Sequence, residues 1–301
     1  SMVSLQHWLY NETPSGLATL RFHLPHSSAQ TVILATGLQS SGSTLLSWCF
    51  LQRSDMNGVL DGDTDLIPQL PATIGARYAW YKTTVSSFTL RDQIACLQDD
   101  GFNVLPLLMV RDVRVVWASL ARKHYGRNGI TAEDPPLRLR LRRFFDSWQY
   151  AVDNQLPVIK YEEFVQQPEA VLRKCCKALS LPWDEGMLNW PKPATEIADM
   201  RHGNATFRDS DKRGLLAAIK QPEGVESGTI HEQDLDWLDE YFAEFNQALC
   251  YPSRLSSFTR LPGRLVPDWR QSRRCKWRLR QKPFRYWLSK LKIISYTPRP
   301  E

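Results

Sequence analysis

The sequence has no long hydrophobic run, no metal-type cysteine pairs and no internal repeat. No apolar stretch reaches the roughly 18 residues that a membrane-spanning helix needs, which argues against a transmembrane protein. The six cysteines are scattered, and the adjacent Cys175 and Cys176 lie in a helical pattern. Because their spacing fits neither a disulfide framework nor a metal site, we expect reduced thiols, no bound metal and a cytoplasmic protein.

Charge is distributed unevenly along the chain. The net charge is +6, but residues 252–301 contain 14 lysines and arginines against two acidic residues, Asp268 and Glu301. The remaining 24 basic and 30 acidic residues belong to residues 1–251. We therefore predict a mildly acidic domain over residues 1–251, followed by a basic aromatic extension over residues 252–301.

Short apolar segments alternate with amphipathic ones through most of the domain. Strands are predicted over residues 31–37, 77–84, 102–110 and 156–161. Helices are predicted to start near residues 43, 86, 112 and 168, with others over about 140–154 and 232–249; residues 184–230 are predicted to be irregular. Buried strands that alternate with helices indicate an α/β fold in which helices flank a parallel central sheet on both sides.

The segment "VILATGLQSSGSTLLSWCF" contains an incomplete phosphate-binding loop. Gly37, Gly42 and Thr44 follow the spacing G-x-x-x-x-G-K-[ST], but Ser43 replaces the lysine. In the predicted fold this loop joins the first strand to the first helix, where backbone N–H groups can face an anion. The segment predicts phosphate binding, and an ordinary strand–helix turn is the alternative.

A second motif, "VRDVRVVWAS", places Arg111 at the end of the third strand and Ser119 eight residues later. An arginine at a strand's carboxyl end and a serine on the next helix can converge on one phosphate, because the guanidinium and the hydroxyl both donate hydrogen bonds. Alternatively, Arg111 forms a structural ion pair with Asp112 or Glu162.

The two motifs "QSSGSTLL" and "VRDVRVVWAS", in this order, resemble the signature of sulfotransferases that use 3′-phosphoadenosine-5′-phosphosulfate (PAPS). "YEEFVQQPEAVLRKCCKALSLPW" resembles another stretch of that family, and the similarity spans about residues 31–252. The resemblance implies a P-loop-like three-layer sandwich and PAPS as the sulfuryl donor, without a metal. It also implies two sets of donor-binding residues: Ser40, Ser41, Gly42, Ser43 and Thr44 for the 5′-phosphosulfate, and Arg111 and Ser119 for the 3′-phosphate.

Two positions depart from the family pattern. Ser40 stands where many members have a lysine or arginine, and Thr84 stands where the "K-T-H" motif has its histidine base. Lys82 matches the lysine of that motif and is predicted to stabilise the leaving phosphate. Asp63 in "DGD" lies where sulfotransferases that act on tyrosine carry a glutamate base, so we predict Asp63 as the general base. The alternatives are a solvated turn at Asp63 and a base at His124.

A third short match, Lys212-Arg213-Gly214, resembles the Arg-Lys-Gly with which cytosolic sulfotransferases hold the 3′-phosphate. The resemblance implies the same role for these three residues. A basic pair on a solvated loop is the alternative.

The extension interleaves aromatic and basic residues, among them Trp277, Phe284 and Trp287. It is predicted either to pack a helix on the domain or to contact an anionic surface, either a membrane or a glycan. Nucleic acid is the least favoured partner. Sedimentation with anionic vesicles would separate the membrane interpretation from the others.

Together the motifs predict a PAPS-dependent sulfotransferase. Its acceptor is predicted to be a hydroxyl of a carbohydrate or glycolipid, with phenols and peptide tyrosines as alternatives, and its location the cytoplasm or the inner face of a membrane. Two other functions stay open. ATP turnover with Mg²⁺ would indicate a P-loop-like nucleotide kinase, and PAPS binding without turnover would indicate a non-catalytic anion-binding module.

Overall fold

The computed structural model describes residues 30–60, 62, 76–86, 88–122, 137–197, 214–219, 228–253 and 257–265. Five parallel strands form the central sheet in the order β2-β3-β1-β4-β5. Their bounds are β1 Thr31–Gly37, β2 Met56–Val59, β3 Tyr78–Lys82, β4 Asn103–Val110 and β5 Val158–Lys160. The predicted α/β class with a parallel central sheet is confirmed.

Helices connect these strands and close the domain. They are α1 Ser43–Leu51, α2 Leu90–Asp99, α3 Val113–Leu120, α4 Leu137–Asp153, α5 Tyr161–Gln166, α6 Pro168–Ala178, α7 Gly186–Asn189, α8 Leu215–Ala218, α9 Glu232–Tyr241 and α10 Ala243–Ala248. A short 3₁₀ helix spans Ala194–Glu196. Local sequence signals fix where two of these helices begin: Thr89 and Asp92 form a capping box at α2, and Pro168 occupies the first turn of α6.

Both faces of the sheet are buried. On β1, Val32 and Leu34 belong to one hydrophobic cluster with residues of α2, α3, α4 and α9. Ile33 and Ala35 point to the other face, where they join a cluster with residues of α1 and α6. Because strand side chains alternate between faces, one apolar strand supplies both cores. The predicted three-layer arrangement is therefore confirmed.

The structure adds three strands, three short helices (α5, α7 and α8), the 3₁₀ helix and a break to the predicted elements, and several of these lie within residues 184–230, which were predicted to be irregular. β2 lies at the edge of the main sheet, and a separate two-stranded parallel sheet joins β6 Gly228–His231 to β7 Phe258–Leu261. β7 belongs to the basic extension by composition, yet it pairs with the domain, so the composition boundary is not the end of the folded part. The predicted final helix is divided at Phe242, whose side chain is fully buried.

A buried ion pair holds α3 against the end of the domain. The Arg114 guanidinium, 1% exposed, donates to the Asp112 carboxylate at 2.8 and 2.9 Å and to the Pro252 carbonyl at 2.7 Å. Asp112 also accepts the Arg114 backbone N–H at the start of α3. This double role of Asp112 fixes the position of its neighbour Arg111, which enters the candidate site.

No helix within the described residues is both long enough and apolar enough to cross a membrane. Residues 266–301, which contain Trp277, Phe284 and Trp287, lie outside the described residues. The proposed partners of the extension therefore stay predictions.

Candidate active site

β1 lies at the topological switch point of the sheet. β3 pairs with one edge of β1 and β4 pairs with the other, so the connections on either side of β1 run in opposite directions. In parallel sheets, ligands bind outside the carboxyl ends of the strands at such a switch point. The segments that follow β1, β3 and β4 all meet at this edge. Thr83 donates its N–H to Ala35 and Val85 donates to Gly37, so the chain after β3 lies along the end of β1.

The loop between β1 and α1 is wound tightly. Ser40 and Gly42 both have left-handed backbones, with φ of 70° and 85°, and the Ser41 hydroxyl donates to the Leu38 carbonyl at 2.6 Å. Gly42 is the N-cap of α1, and no side chain caps that helix. The first turn therefore presents the N–H groups of Ser43 and Thr44, which have no acceptor within a helix. A helix terminus of this kind attracts an anion.

Arg111 and Ser119 converge on this loop. Arg111 Nη1 donates to the Ser40 carbonyl at 2.8 Å, and the Ser119 hydroxyl donates to the Ser40 hydroxyl at 3.3 Å. Residues from β4 and α3 thus meet on one residue of the phosphate-type loop, as the spacing of the second motif anticipates. Their role as ligands of a 3′-phosphate stays a prediction.

Tyr161 forms a wall of the same site. Its ring lies under the Arg111 guanidinium, with 4.2 Å between the guanidinium carbon and the ring centroid. A Cβ at Gly42 would overlap the Tyr161 ring, so only glycine leaves room for it. Stacking on the ring orients the plane of the guanidinium.

A half-buried carboxylate lies beside Arg111. Glu162 accepts the Asp112 backbone N–H at 3.0 Å and the Tyr251 hydroxyl at 3.0 Å. Burial raises the pKa of the Glu162 carboxyl, and these two donors and the charge of Arg111 oppose the rise. Burial and the neighbouring Glu162 also raise the pKa of the Tyr251 hydroxyl. The network ties the start of α5 to the start of α3 and to the segment after α10.

Lys82 ends β3 at the carboxyl edge of the sheet, with a side chain only 4% exposed. Its backbone carbonyl accepts the Gly62 N–H at 2.8 Å. Gly62, the central residue of "DGD", therefore lies beside the Lys82 backbone. Asp63, the predicted base, lies outside the described residues, as do Asp61 and His124.

The third predicted motif is described only in part. Lys212 and Arg213 lie outside the described residues. Gly214 has φ of 90° and lies against Leu188 and Asn189 of α7. Across the described ranges, no group of three or more His, Cys, Asp and Glu side chains is placed to hold a metal ion. The clamp role of Lys212-Arg213-Gly214 stays a prediction.

Sequence reasoning missed the contributions of Tyr161 and Tyr251. Tyr161 follows β5 directly, so the rule that placed Arg111 at a strand's carboxyl end also applies to it. Tyr251 had no comparable signal, because its partner Glu162 is 89 residues away in sequence.

The protein is a P-loop-like α/β protein: its sheet is parallel, and a loop of the phosphate-binding kind follows the first strand at the switch point. Within that class, residues 105–185 match the sulfotransferase family. The matched segment contains Arg111, Ser119 and Tyr161, so the family resemblance of the second motif is confirmed there. No curated protein matches the chain.

Solved sulfotransferase structures are similar to this chain at low identity. The sulfotransferase domain of the Synechococcus PCC 7002 olefin synthase has 14% identity and a TM-score of 0.46, over 74% of this chain and 98% of that domain. The sulfotransferase domain of the curacin biosynthetic pathway has 16% identity and a TM-score of 0.44, over 72% and 99%. Mouse sulfotransferase SULT7A1, complexed with adenosine 3′,5′-bisphosphate (PAP), has 13% identity and a TM-score of 0.43, over 79% of this chain and 91% of that protein. The fold assignment itself rests on the strand order and the two cores.

The contact between Gly42 and Tyr161 leads to a stability prediction. Gly42→Ala places an alanine in a left-handed backbone conformation, which costs about 1–2 kcal/mol. It also makes the new Cβ overlap the Tyr161 ring. We expect it to lower the free energy of unfolding by more than Gly263→Ala, since Gly263 has φ of 79° and nothing within 4 Å of an added Cβ. Denaturant unfolding of both variants measures the difference.

Tyr161→Leu provides the second half of this test. In that background, Gly42→Ala should cost only the backbone strain, and thus about as much as Gly263→Ala. Equal costs for the two glycine variants in the native background would contradict the close contact between Gly42 and Tyr161.

Proposed function

We propose that the protein transfers a sulfuryl group from PAPS to a hydroxyl of an acceptor, with a carbohydrate or glycolipid as the acceptor class. The observation that supports it best is the meeting of Arg111 and Ser119 on Ser40, at the uncapped start of α1. This arrangement offers the backbone N–H groups of the loop, and the Arg111 and Ser119 side chains beside it, as donors to a ligand with two anionic ends. The family match over residues 105–185 agrees with sulfuryl transfer.

The two ends of PAPS fit these two groups of donors by charge and hydrogen bonding. The backbone N–H groups of residues 42–44 and the positive end of the α1 dipole suit the 5′-phosphosulfate, whereas the Ser41 N–H donates to the Leu38 carbonyl at 3.2 Å. Arg111, oriented by Tyr161, and the Ser119 hydroxyl suit the 3′-phosphate, because a planar guanidinium can give two parallel hydrogen bonds to one phosphate.

In the proposed reaction, the acceptor hydroxyl loses its proton to the Asp63 carboxylate and its oxygen attacks the sulfur in line. The new O–S bond forms as the bond from sulfur to the 5′-phosphate oxygen breaks, and that oxygen keeps the electron pair. Adenosine 3′,5′-bisphosphate (PAP) leaves. Lys82 and the N–H groups of the loop stabilise the negative charge that develops on the leaving phosphate.

The missing lysine of the loop favours this reaction over a kinase. A P-loop kinase uses that lysine on the β- and γ-phosphates and holds Mg²⁺ with the adjacent hydroxyl. Here Ser43 occupies the lysine position and is 5% exposed. Sulfuryl transfer from PAPS needs no metal, and Lys82 at the end of β3 is the proposed source of the positive charge at the same edge of the sheet.

The acceptor class rests on the extension rather than on the described site. Basic and aromatic residues beyond residue 252 would hold the enzyme at an anionic membrane or glycan surface, where carbohydrate and glycolipid hydroxyls are concentrated. A screen of glycans, glycolipids and phenols with radiolabelled PAPS tests this part. Labelling of phenols alone would exclude the carbohydrate acceptor and leave the donor proposal intact.

Donor recognition gives the first functional prediction. PAP should bind more tightly than AMP by about 10- to 100-fold, the value of one or two hydrogen bonds between charged groups. Arg111→Ala should remove most of that preference while AMP binding changes little. Isothermal titration of both nucleotides measures the ratio.

The matched control is Arg77→Ala. Arg77 is exposed next to the amino end of β3, the edge of the sheet opposite the site, and should leave the ratio unchanged. Equal affinities for PAP and AMP in the native protein would exclude a 3′-phosphate site.

Turnover gives the second functional prediction. Asp63→Asn should lower turnover by about 10²–10⁴-fold with donor affinity nearly unchanged, the usual range for a lost general base. Lys82→Met should lower turnover by about 10²–10³-fold, since it removes charge stabilisation at the leaving oxygen. Single-turnover transfer from labelled PAPS measures both. Near-native turnover in Asp63→Asn would exclude Asp63, and Asp61→Asn and Asp65→Asn would then test its neighbours.

A further inference from the structure

The loop proposed to hold the 5′-phosphosulfate has no charged side chain. Residues 37–44 are Gly-Leu-Gln-Ser-Ser-Gly-Ser-Thr. Any positive charge that faces an anion there must therefore come from neighbouring elements. Lys82 comes from β3 and Arg111 from the end of β4. The structure brings in a third cation, Arg140, from the first turns of α4.

Arg140 is buried against this loop. It is only 2% exposed, and its Nη1 donates to the Gln39 side-chain oxygen at 3.1 Å across 101 residues of sequence. A guanidinium has donors only, so it fixes which end of the Gln39 amide faces it. Gln39 directly precedes Ser40, whose carbonyl accepts from Arg111. The loop is thus held at two adjacent residues by two arginines from different elements.

The position of Arg140 on α4 is itself fixed by packing. Leu141, Phe144 and Trp148 of the same helix belong to the hydrophobic core. One turn along, Arg143 donates to the Ser86 carbonyl at 2.8 Å, and Ser147 accepts the Leu90 N–H at 3.0 Å. The helix therefore contacts both the loop after β1 and the segment after β3, and its core packing fixes the backbone that carries Arg140.

A buried guanidinium stays charged and acts over several ångströms when water is excluded. We propose that Arg140 is a positioning residue for the 5′-phosphosulfate: through Gln39 it holds residues 38–41 in their tight conformation, and its charge favours the anion on the loop. This inference rests on the proposed function. It assigns Arg140 to the 5′ end of the donor and leaves Arg111 and Ser119 to the 3′ end.

The test compares three nucleotides by titration: AMP, PAP and adenosine 3′-phosphate. Arg140→Met should weaken AMP and PAP by the same factor, about 10- to 100-fold, because both carry the 5′ anion. The preference for PAP over AMP should therefore persist, in contrast to Arg111→Ala. Adenosine 3′-phosphate should bind as it does to the native protein.

Conservative and paired variants separate charge from general packing. Arg140→Lys keeps the charge and should recover part of the lost affinity. Gln39→Leu should weaken AMP and PAP, and the double variant with Arg140→Met should lose less than the two single losses combined, since the residues act as a unit. Arg142→Met, an exposed change on the same helix above the Tyr241 ring, is the matched control and should change nothing.

The outcomes distinguish this inference from the proposed function. Native protein that binds none of the three nucleotides would remove the proposed function, and the inference with it. Native protein that prefers PAP, beside an Arg140→Met variant with unchanged AMP affinity, would overturn the role of Arg140 alone. An equal loss for all three nucleotides would also overturn it, as this shows general disruption. If Arg140→Met does not fold, Gln39→Leu decides by the same three affinities.

Discussion

The hydrogen bond between Arg111 and the Ser40 carbonyl joins the two motifs on which the site depends. Ser40 has φ of 70°, a conformation that costs a non-glycine residue about 1–3 kcal/mol and persists only where surrounding contacts hold it. Arg111 and Ser119 form hydrogen bonds with Ser40, and Tyr161 packs against Gly42 next to them. The loop conformation that points backbone N–H groups outward is therefore a product of tertiary contacts rather than of the loop sequence alone.

In the proposed anion site, one segment supplies the backbone geometry and other segments supply the positive charge. The loop supplies N–H groups and a helix terminus, whereas the cations come from three other elements: β3, the end of β4, and α4. A phosphate loop with its own lysine combines both functions in one segment. In the proposed mechanism, Lys82, Arg111 and Arg140 supply electrostatic stabilisation at the edge of the sheet without the lysine and Mg²⁺ on which a nucleoside triphosphatase relies.

Sequence patterns predicted the parts of the fold that depend on local signals. β1 and β4 are long and apolar, and α6 begins at a proline, so their positions agree closely with the prediction. β2 was missed because its four residues include Gly58 and an exposed Asn57, which weaken the strand pattern. β6 and β7 were missed because each is four residues long and the two pair across about thirty residues. Within the site, the spacing of Arg111 and Ser119 was enough to predict that their side chains lie close together. Arg140 has no local signal, because its partner Gln39 lies 101 residues earlier in the sequence.

A crystal structure of the protein with PAP would test the central claim most directly. The account predicts the 5′-phosphate within hydrogen-bonding distance of the N–H groups of residues 42–44. It also predicts the 3′-phosphate against the Arg111 guanidinium and the Ser119 hydroxyl. PAP bound with its two phosphates reversed, or at any other part of the protein, would contradict it.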